Sequence, residues 1–236
     1  MIFCAYALGN HSAKGCSPFM RQFSFKILIE GIFANFKLIF FEFPLAQSNR
    51  DWKNPYQVYS EPYQTEDAHM LEEVIKNMDI NPQFSMKEVE ERIKDDHLFY
   101  VAKKSGKIIG YCWYLVRLVN VPEFDITLYL KPDEVCSVNS YIQPQFRGKG
   151  IRNYMRAYEY NQLREKGFKR SLTFVNSNNK PSLRMHQKWG SVPVGMARRI
   201  NILTFTYHYT NLKTHKIVFH GGAFSNWKKL SQRIKM

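Results

Sequence analysis

The decapeptide "QPQFRGKGIR" at residues 143–152 constrains the chain more than any other stretch. The run before it, "EVCSVNSYI" (Glu134–Ile142), has the β-branched and aromatic character of a strand, and the run after it, "RNYMRAYEYNQLREKG" (Arg152–Gly167), reads as a helix. Gly148 and Gly150 remove Cβ atoms where the chain must turn sharply, and they let a ligand touch the backbone. The helix contributes N–H groups without intrahelical acceptors and the positive end of its dipole, with Arg147, Lys149 and Arg152 alongside. Such a nest suits an anion, in particular a pyrophosphate. An ordinary strand-to-helix turn with solvated basic residues has the same composition, so the turn alone does not establish a ligand.

The 236-residue length allows one large domain or a domain with an extension. A hydrophobic fraction of 44% with 15% aromatics excludes wholesale disorder. The 34 Lys and Arg against 20 Asp and Glu give a formal charge of +14, which points to an anionic partner: nucleic acid, a membrane surface or a phosphorylated small molecule. Cys4, Cys16, Cys112 and Cys136 form no C-x-x-C, and no His lies at metal-ligand spacing, so no metal site is expected and a reducing cytoplasm is. The opening "MIFCAYALGN" lacks a basic leader and a cleavage pattern. The most apolar stretch, Phe23–Ala46, is broken by Lys26, Glu30, Asn35, Lys37 and Glu42, so it is expected to pack on the domain, with contact to a membrane surface as the weaker alternative.

Along the chain, residues 1–50 read as an extension: an arm, an amphipathic helix over 21–35 and a strand over Phe36–Phe43, closed by a turn-rich boundary at 46–55. The main domain follows over 51–222, and a basic tail closes the chain over 223–236. Within the domain the pattern predicts a strand at 56–60 and a helix at 65–78. A second helix over 85–96 opens on the capping box Ser85/Glu88, and two strands over 98–118 are joined at Lys-Ser-Gly. After the glycine turn and its helix come a strand at 170–176, a helix at 180–189, and a hairpin whose arms are 199–209 and 215–220. This is a mixed α+β order.

Two familiar phosphate motifs fail. The G-x-G-x-x-G pattern needs a small residue where Asn153 stands, and the P-loop needs Ser or Thr where Gly150 follows Lys149. What remains is Q-x-x-G-x-G, spelled Gln145, Gly148 and Gly150, followed downstream by "NKPSLRMHQKWGS" (Asn179–Ser191). Together they resemble the acyl-CoA site of the GNAT superfamily of N-acetyltransferases, and the element order agrees. The resemblance implies a mostly antiparallel mixed sheet flanked by helices, here with an N-terminal helix and strand extension.

It also implies acetyl transfer from acetyl-CoA, or another acyl-CoA, to the amine of a small molecule such as an amino sugar, sugar nucleotide or amino acid. No nucleic acid partner is then expected. Pantetheine would lie in a gap beside Ile142, and the pyrophosphate would be held by Gln145, Arg147, Gly148, Lys149, Gly150, Ile151 and Arg152. Asn179 and Ser182 would reach the pantetheine side. The family's usual tyrosine acid is replaced by His186, an imidazole that preserves acid chemistry in principle. The base stays open among a water held by Asn139, Glu134, Tyr141 and His208, with no ranking, and Tyr141, Trp113 and Tyr114 are candidates for the acceptor cleft. Two other readings stay open: a CoA-binding module without activity, and a basic nucleic-acid-binding protein.

Overall fold

The sheet is organised around β4 (Lys107–Leu115), in which every residue from Ile108 to Leu115 is buried. A strand covered on both faces reads as a continuous apolar run rather than an alternation. The computed structural model describes residues 33–47, 56–80, 84–202 and 205–220. The expected helix at 21–35 therefore lies outside the described residues up to 32, and its last three positions are already strand. The C-terminal tail, Cys4 and Cys16 also lie outside them.

In chain order the remaining elements begin with β1 (Phe33–Pro44), β2 (Tyr59–Pro62), α1 (Ala68–Lys76), α2 (Met86–Lys94) and β3 (Leu98–Lys104). After β4 come β5 (Leu118–Val121), β6 (Ile126–Tyr129), β7 (Glu134–Ile142), α3 (Ile151–Glu165) and β8 (Arg170–Asn176). The chain continues with α4 (Lys180–Trp189), β9 (Val192–Ile202), β10 (Phe205–Thr210) and β11 (Ile217–Phe219). The large sheet has the order β10-β9-β1-β8-β7-β4-β3-β2, and its one parallel pair is β7 with β8. The α+β, mostly antiparallel expectation holds.

Alternation along β4 sorts the two layers. Tyr111, Trp113 and Leu115 face α1 and α2 through Leu71, Val74 and Val89, whereas Cys112 and Tyr114 face α3 and α4 through Ala157, Tyr160, Leu163 and Trp189. The entry to α2 is fixed by the predicted box: Ser85 Oγ accepts the Glu88 N–H at 3.3 Å, and the Ser85 N–H donates to Glu88 Oε2 at 2.7 Å. At the β3–β4 turn, Ser105 and Gly106 take φ of 49° and 74°, as a two-residue hairpin of the predicted Lys-Ser-Gly type needs.

Two sequence expectations are corrected. The strand assigned to an N-terminal extension is interior to the sheet: β1 pairs antiparallel with β8 on one side, Leu38 opposite Asn176, and with β9 on the other, Leu38 opposite Ala197. Phe40 in β1 and Leu45 just after it are fully buried, so residues 33–47 pack as part of the main sheet. The second correction concerns the late hairpin. It is β9 with β10, whereas residues 217–219 leave to pair with β6 in a separate three-stranded sheet, β11-β6-β5. Glu134 and His215, buried and 2.7 Å apart, tie the start of β7 to the segment leading into that small sheet.

Candidate functional site

β7 and β8 run side by side only from the Glu134–Arg170 pair to the Ser137–Thr173 pair. Thr173 Oγ1 donates to Ser137 O at 2.9 Å at that last pair, and beyond it the two strands part. The separation leaves the residues of β7 after Ser137 without β8 as a ladder partner, a fork that opens toward the glycine turn. On its other edge β7 carries a bulge. Tyr111 faces Tyr141 and Trp113 faces Val138, so Asn139 and Ser140 together stand opposite Cys112, and Asn139 takes a positive φ of 47°.

The glycine turn closes the fork. Gly148 and Gly150 have φ of 73° and 75°, left-handed values that other residues adopt only with strain. A Cβ built on either would meet nothing within 4 Å, so space is open on that face. Gly150 is the N-cap of α3, and the first helical bonds are those of the Asn153 and Tyr154 N–H groups to Gly150 O, at 2.9 and 3.2 Å. The amides from Gly150 to Arg152 precede that ladder and have no acceptor among the described residues, so they can serve an outside one. Gly110 serves differently: a Cβ there would fall 2.5 Å from Ile142 Cδ1 and 2.6 Å from Tyr141 O, so glycine lets the end of β7 lie close on β4. Ile142 packs with Ile109, Ile151 and Met155 and anchors the turn to α3.

The basic side chains of the turn do not act as sequence reasoning expected. Arg147 forms a two-pronged ion pair with Asp79, at 2.7 and 2.8 Å, donates through Nε to Ile142 O at 2.8 Å, and lies over the Tyr141 ring. Arg152 turns inward to Glu159 at 2.7 Å and to Cys112 Sγ at 3.0 Å. Their guanidinium charges are therefore compensated by carboxylates, and only their backbone N–H groups face the turn. Lys149 stays exposed, its Nζ over Phe146, and Gln145 donates to the Gln143 side chain at 2.8 Å.

The second motif caps a helix. Asn179 Oδ1 accepts the Ser182 N–H at 3.2 Å, so both residues hold the start of α4, beside the open end of β8. His186, one turn further, is 4% exposed and stacks on Phe41 with ring centroids 5.4 Å apart. Burial, then the nearby Arg156 and Arg152, pushes its pKa down to about 2. It is a neutral ring at physiological pH, and the proton-donor role expected of it does not fit this environment.

Tyr141 points its hydroxyl at Asp79 Oδ1, 3.1 Å away, and stacks on Tyr111. Burial and then the hydrogen bond to Asp79 raise its pKa. Asn139 accepts from Arg92 Nη1 at 3.0 Å, and Arg92 lies over the rings of Phe84 and Trp113. Trp113 and Tyr114 are fully buried on opposite faces of β4, so they do not line one cleft. Glu134 begins β7, at the end away from the glycine turn, and His208 stacks on Phe219 from the edge strand β10. Neither of these two base candidates is placed at the fork.

Asp79, Arg92, Cys112, Arg156 and Glu159 were not singled out from sequence. The spacing of Arg152, Arg156 and Glu159 at i, i+4 and i+7 puts three charges on one helix face, a signal that existed. Nothing local marks Asp79, whose partner is 68 residues away. Among the described residues no three His, Cys, Asp or Glu side chains group as metal ligands, and no helix is long and apolar enough to cross a membrane.

Comparison with known proteins agrees with the fold. The sequence profile described as the acetyltransferase (GNAT) family matches residues 50–190. No curated protein matches the chain in sequence. Among solved structures, an N-acetyltransferase from Sphaerobacter thermophilus is similar at TM-score 0.53 and 13% identity, over 76% of this chain and 57% of that one. A putative acetyltransferase from Novosphingobium aromaticivorans gives TM-score 0.50 and 10% identity, over 70% and 62%. A conserved protein of unknown function from Staphylococcus epidermidis gives TM-score 0.50 and 14% identity, over 74% and 66%. The match thus spans less than two thirds of each of those chains.

Proposed function

Since the chain belongs to the GNAT acetyltransferase family, we propose that it transfers an acyl group, acetyl in the simplest case, from acyl-CoA to the amine of a small molecule. The observation that carries this reading is the fork between β7 and β8, ending at a turn whose two glycines leave open space and whose helix offers unused amides. These features fit a pantetheine arm followed by a pyrophosphate. The backbone N–H groups from Gly148 to Arg152 would hold the phosphates, Ile142 would line the arm, and Lys149 would add the uncompensated charge. Asn179 and Ser182 would support the arm indirectly, by fixing the start of α4.

The thioester supplies an activated acyl carbon; the amine forms the new C–N bond as the C–S bond breaks, and the proton lost by the amine balances the one gained by the thiolate. The chain's own part is positioning. Among the candidates named from sequence, His186 is neutral, the Tyr141 hydroxyl is held by Asp79, and Asn139 is held by Arg92. The acceptor amine is therefore taken to arrive already deprotonated, and the rate rises with pH through the pKa of that amine.

Arg92 beside the bulge gives the acceptor side a cation on an aromatic platform, which suits an anionic amine such as a sugar nucleotide or an amino acid. A cytoplasmic location fits acyl-CoA as co-substrate. A thiol-release assay across amino-sugar, sugar-nucleotide, amino-acid and polyamine acceptors tests the activity, and calorimetry with CoA tests the site. Gly148→Glu or Gly150→Glu is expected to abolish CoA binding, and retained affinity in both would sink the assignment. The engagement of all three catalytic candidates also favours a second reading, a CoA-binding module without turnover. Binding without thiol release on any acceptor would select it.

A further inference from the structure

We infer that the fork contains a receptor for a carboxylate carried on the acyl group, with Arg156 as its cation, so that the chain takes the thioester of a dicarboxylic acid in preference to a neutral acyl-CoA. The inference rests on the acyl-CoA reading above and goes beyond it. Arg156 is 2% exposed, and its Nε and Nη1 atoms have no hydrogen-bond acceptor among the described residues. It lies against Met185 Sδ, 3.7 Å from Nη2, and the faces of Trp189 and Tyr160, with ring centroids at 5.1 and 5.9 Å. The nearest carboxylate on α3, Glu159, gives Oε2 to Arg152 and to the Tyr114 hydroxyl, both at 2.7 Å; its Oε1 has no hydrogen-bond partner among the described residues and makes none to Arg156. Two buried guanidinium groups thus share one carboxylate. A buried cation without a counter-ion is costly to keep, and an incoming anion relieves that cost.

The position selects the anion. Arg156 lies four residues past Arg152, the last amide assigned to the phosphates, roughly 6 Å further along α3, and its guanidinium is enclosed by Trp189, Tyr160 and Met185 rather than presented at the glycine turn. It lies instead toward the closed end of the fork. Arg152 Nη2 meets Cys112 Sγ there, and that sulfur lies 3.4 Å from Ser137 Oγ, the residue of the last β7–β8 pair. Opposite that pair, Thr173 faces Phe41, and Phe41 carries the stacked His186, which feels the charge of Arg156. Both guanidiniums are on the α3–α4 face, as the glycine turn is. Arg92 and the bulge lie on the α1–α2 side, which the proposed reading above gives to the acceptor. The carboxylate Arg156 receives is therefore assigned to the acyl chain and not to the acceptor.

The test is calorimetry of the full-length protein with CoA, butyryl-CoA and succinyl-CoA, the last two being similar in length and differing in the distal carboxylate. Succinyl-CoA is expected to bind about tenfold or more tightly than butyryl-CoA, the scale of a charge-assisted hydrogen bond. In Arg156→Met that gap should vanish while CoA affinity stays. Equal affinities of the wild-type protein for the two thioesters, with CoA bound, would overturn the inference and leave the cofactor site standing. Failure to bind any of the three would remove both. If Arg156→Met does not fold, the wild-type comparison decides alone. In acceptor assays, Arg156-dependent discrimination between an amino acid and its decarboxylated amine, with no acyl preference, would also overturn the assignment to the acyl chain.

Discussion

The guanidinium of Arg147 grips both carboxylate oxygens of Asp79, at 2.7 and 2.8 Å, so the loop after α1 is tied to the residue directly before the first glycine of the turn. The bond to Arg147 holds the Asp79 carboxyl below its ordinary pKa. While the pair persists, Arg147 offers little net charge to a phosphate. Asp79→Asn should release it and raise CoA affinity several-fold, with a steeper loss of affinity as salt increases. Calorimetry at low and at physiological ionic strength checks this. A fall in affinity would mean that the pair shapes the turn more than it masks it.

The pKa of His186 makes a prediction about stability. The folded value is about 2 and the unfolded value about 6.5, so between those limits the unfolded chain binds the extra proton. The residue's contribution is complete above pH 6.5 and is lost as pH falls below it, by about 1.4 kcal/mol per pH unit. Burial also depresses His97 and His208, so the informative quantity is a difference between proteins. His186→Phe keeps a ring against Phe41 and should flatten the slope between pH 7 and 5 relative to the wild-type protein, measured by urea unfolding. Turnover with any accepted amine should be unchanged at pH 8.

The placement of β1 predicts that the first fifty residues are not dispensable. Deleting residues 1–50 would withdraw a strand from between β8 and β9 and leave two new edges inside the sheet. Expression of that truncation is expected to give aggregated protein. Phe40→Ala in the full chain should cost about 3–5 kcal/mol, as removal of a fully buried phenyl ring does. A soluble, CoA-binding truncation would show that the strand is an accessory.

Elements carried by local signals were legible in the sequence. β7, β8 and α4 match the expected bounds residue for residue, because a strand stopped by Pro144, a strand ended before an Asn-rich turn, and a helix between Pro181 and Gly190 are each marked by neighbours in the chain. The apolar stretch "FKLIFFEF" announced a strand but not its partners, since even Phe43 and its partner Ser171 are 128 residues apart. The short strands β5 and β6 escaped because four residues carry too little pattern to separate from a loop. At the site, the backbone features were readable from two glycines. The fates of Arg147 and Arg152 were not, because a basic residue near a phosphate turn reads the same whether it faces solvent or a carboxylate brought in by the fold.

Glu159 offers the sharpest test of the buried charge cluster. Its side chain is fully buried and bonded to Arg152 and to the Tyr114 hydroxyl, while Arg156 one turn away pairs with no carboxylate among the described residues. Glu159→Gln keeps the shape and the Tyr114 contact but leaves two guanidinium groups in the interior with no counter-ion. Breaking one partner of such a pair costs about 3–5 kcal/mol, far more than the same change at the surface. By contrast, Glu72→Gln, which breaks an exposed pair with Lys76 on α1, should shift stability by less than about 0.5 kcal/mol. Urea midpoints of the two variants against the wild-type protein measure the contrast. If the acyl site lies where Arg156 places it, saturating succinyl-CoA should restore more of the loss in Glu159→Gln than saturating butyryl-CoA does, because its carboxylate resupplies the missing charge.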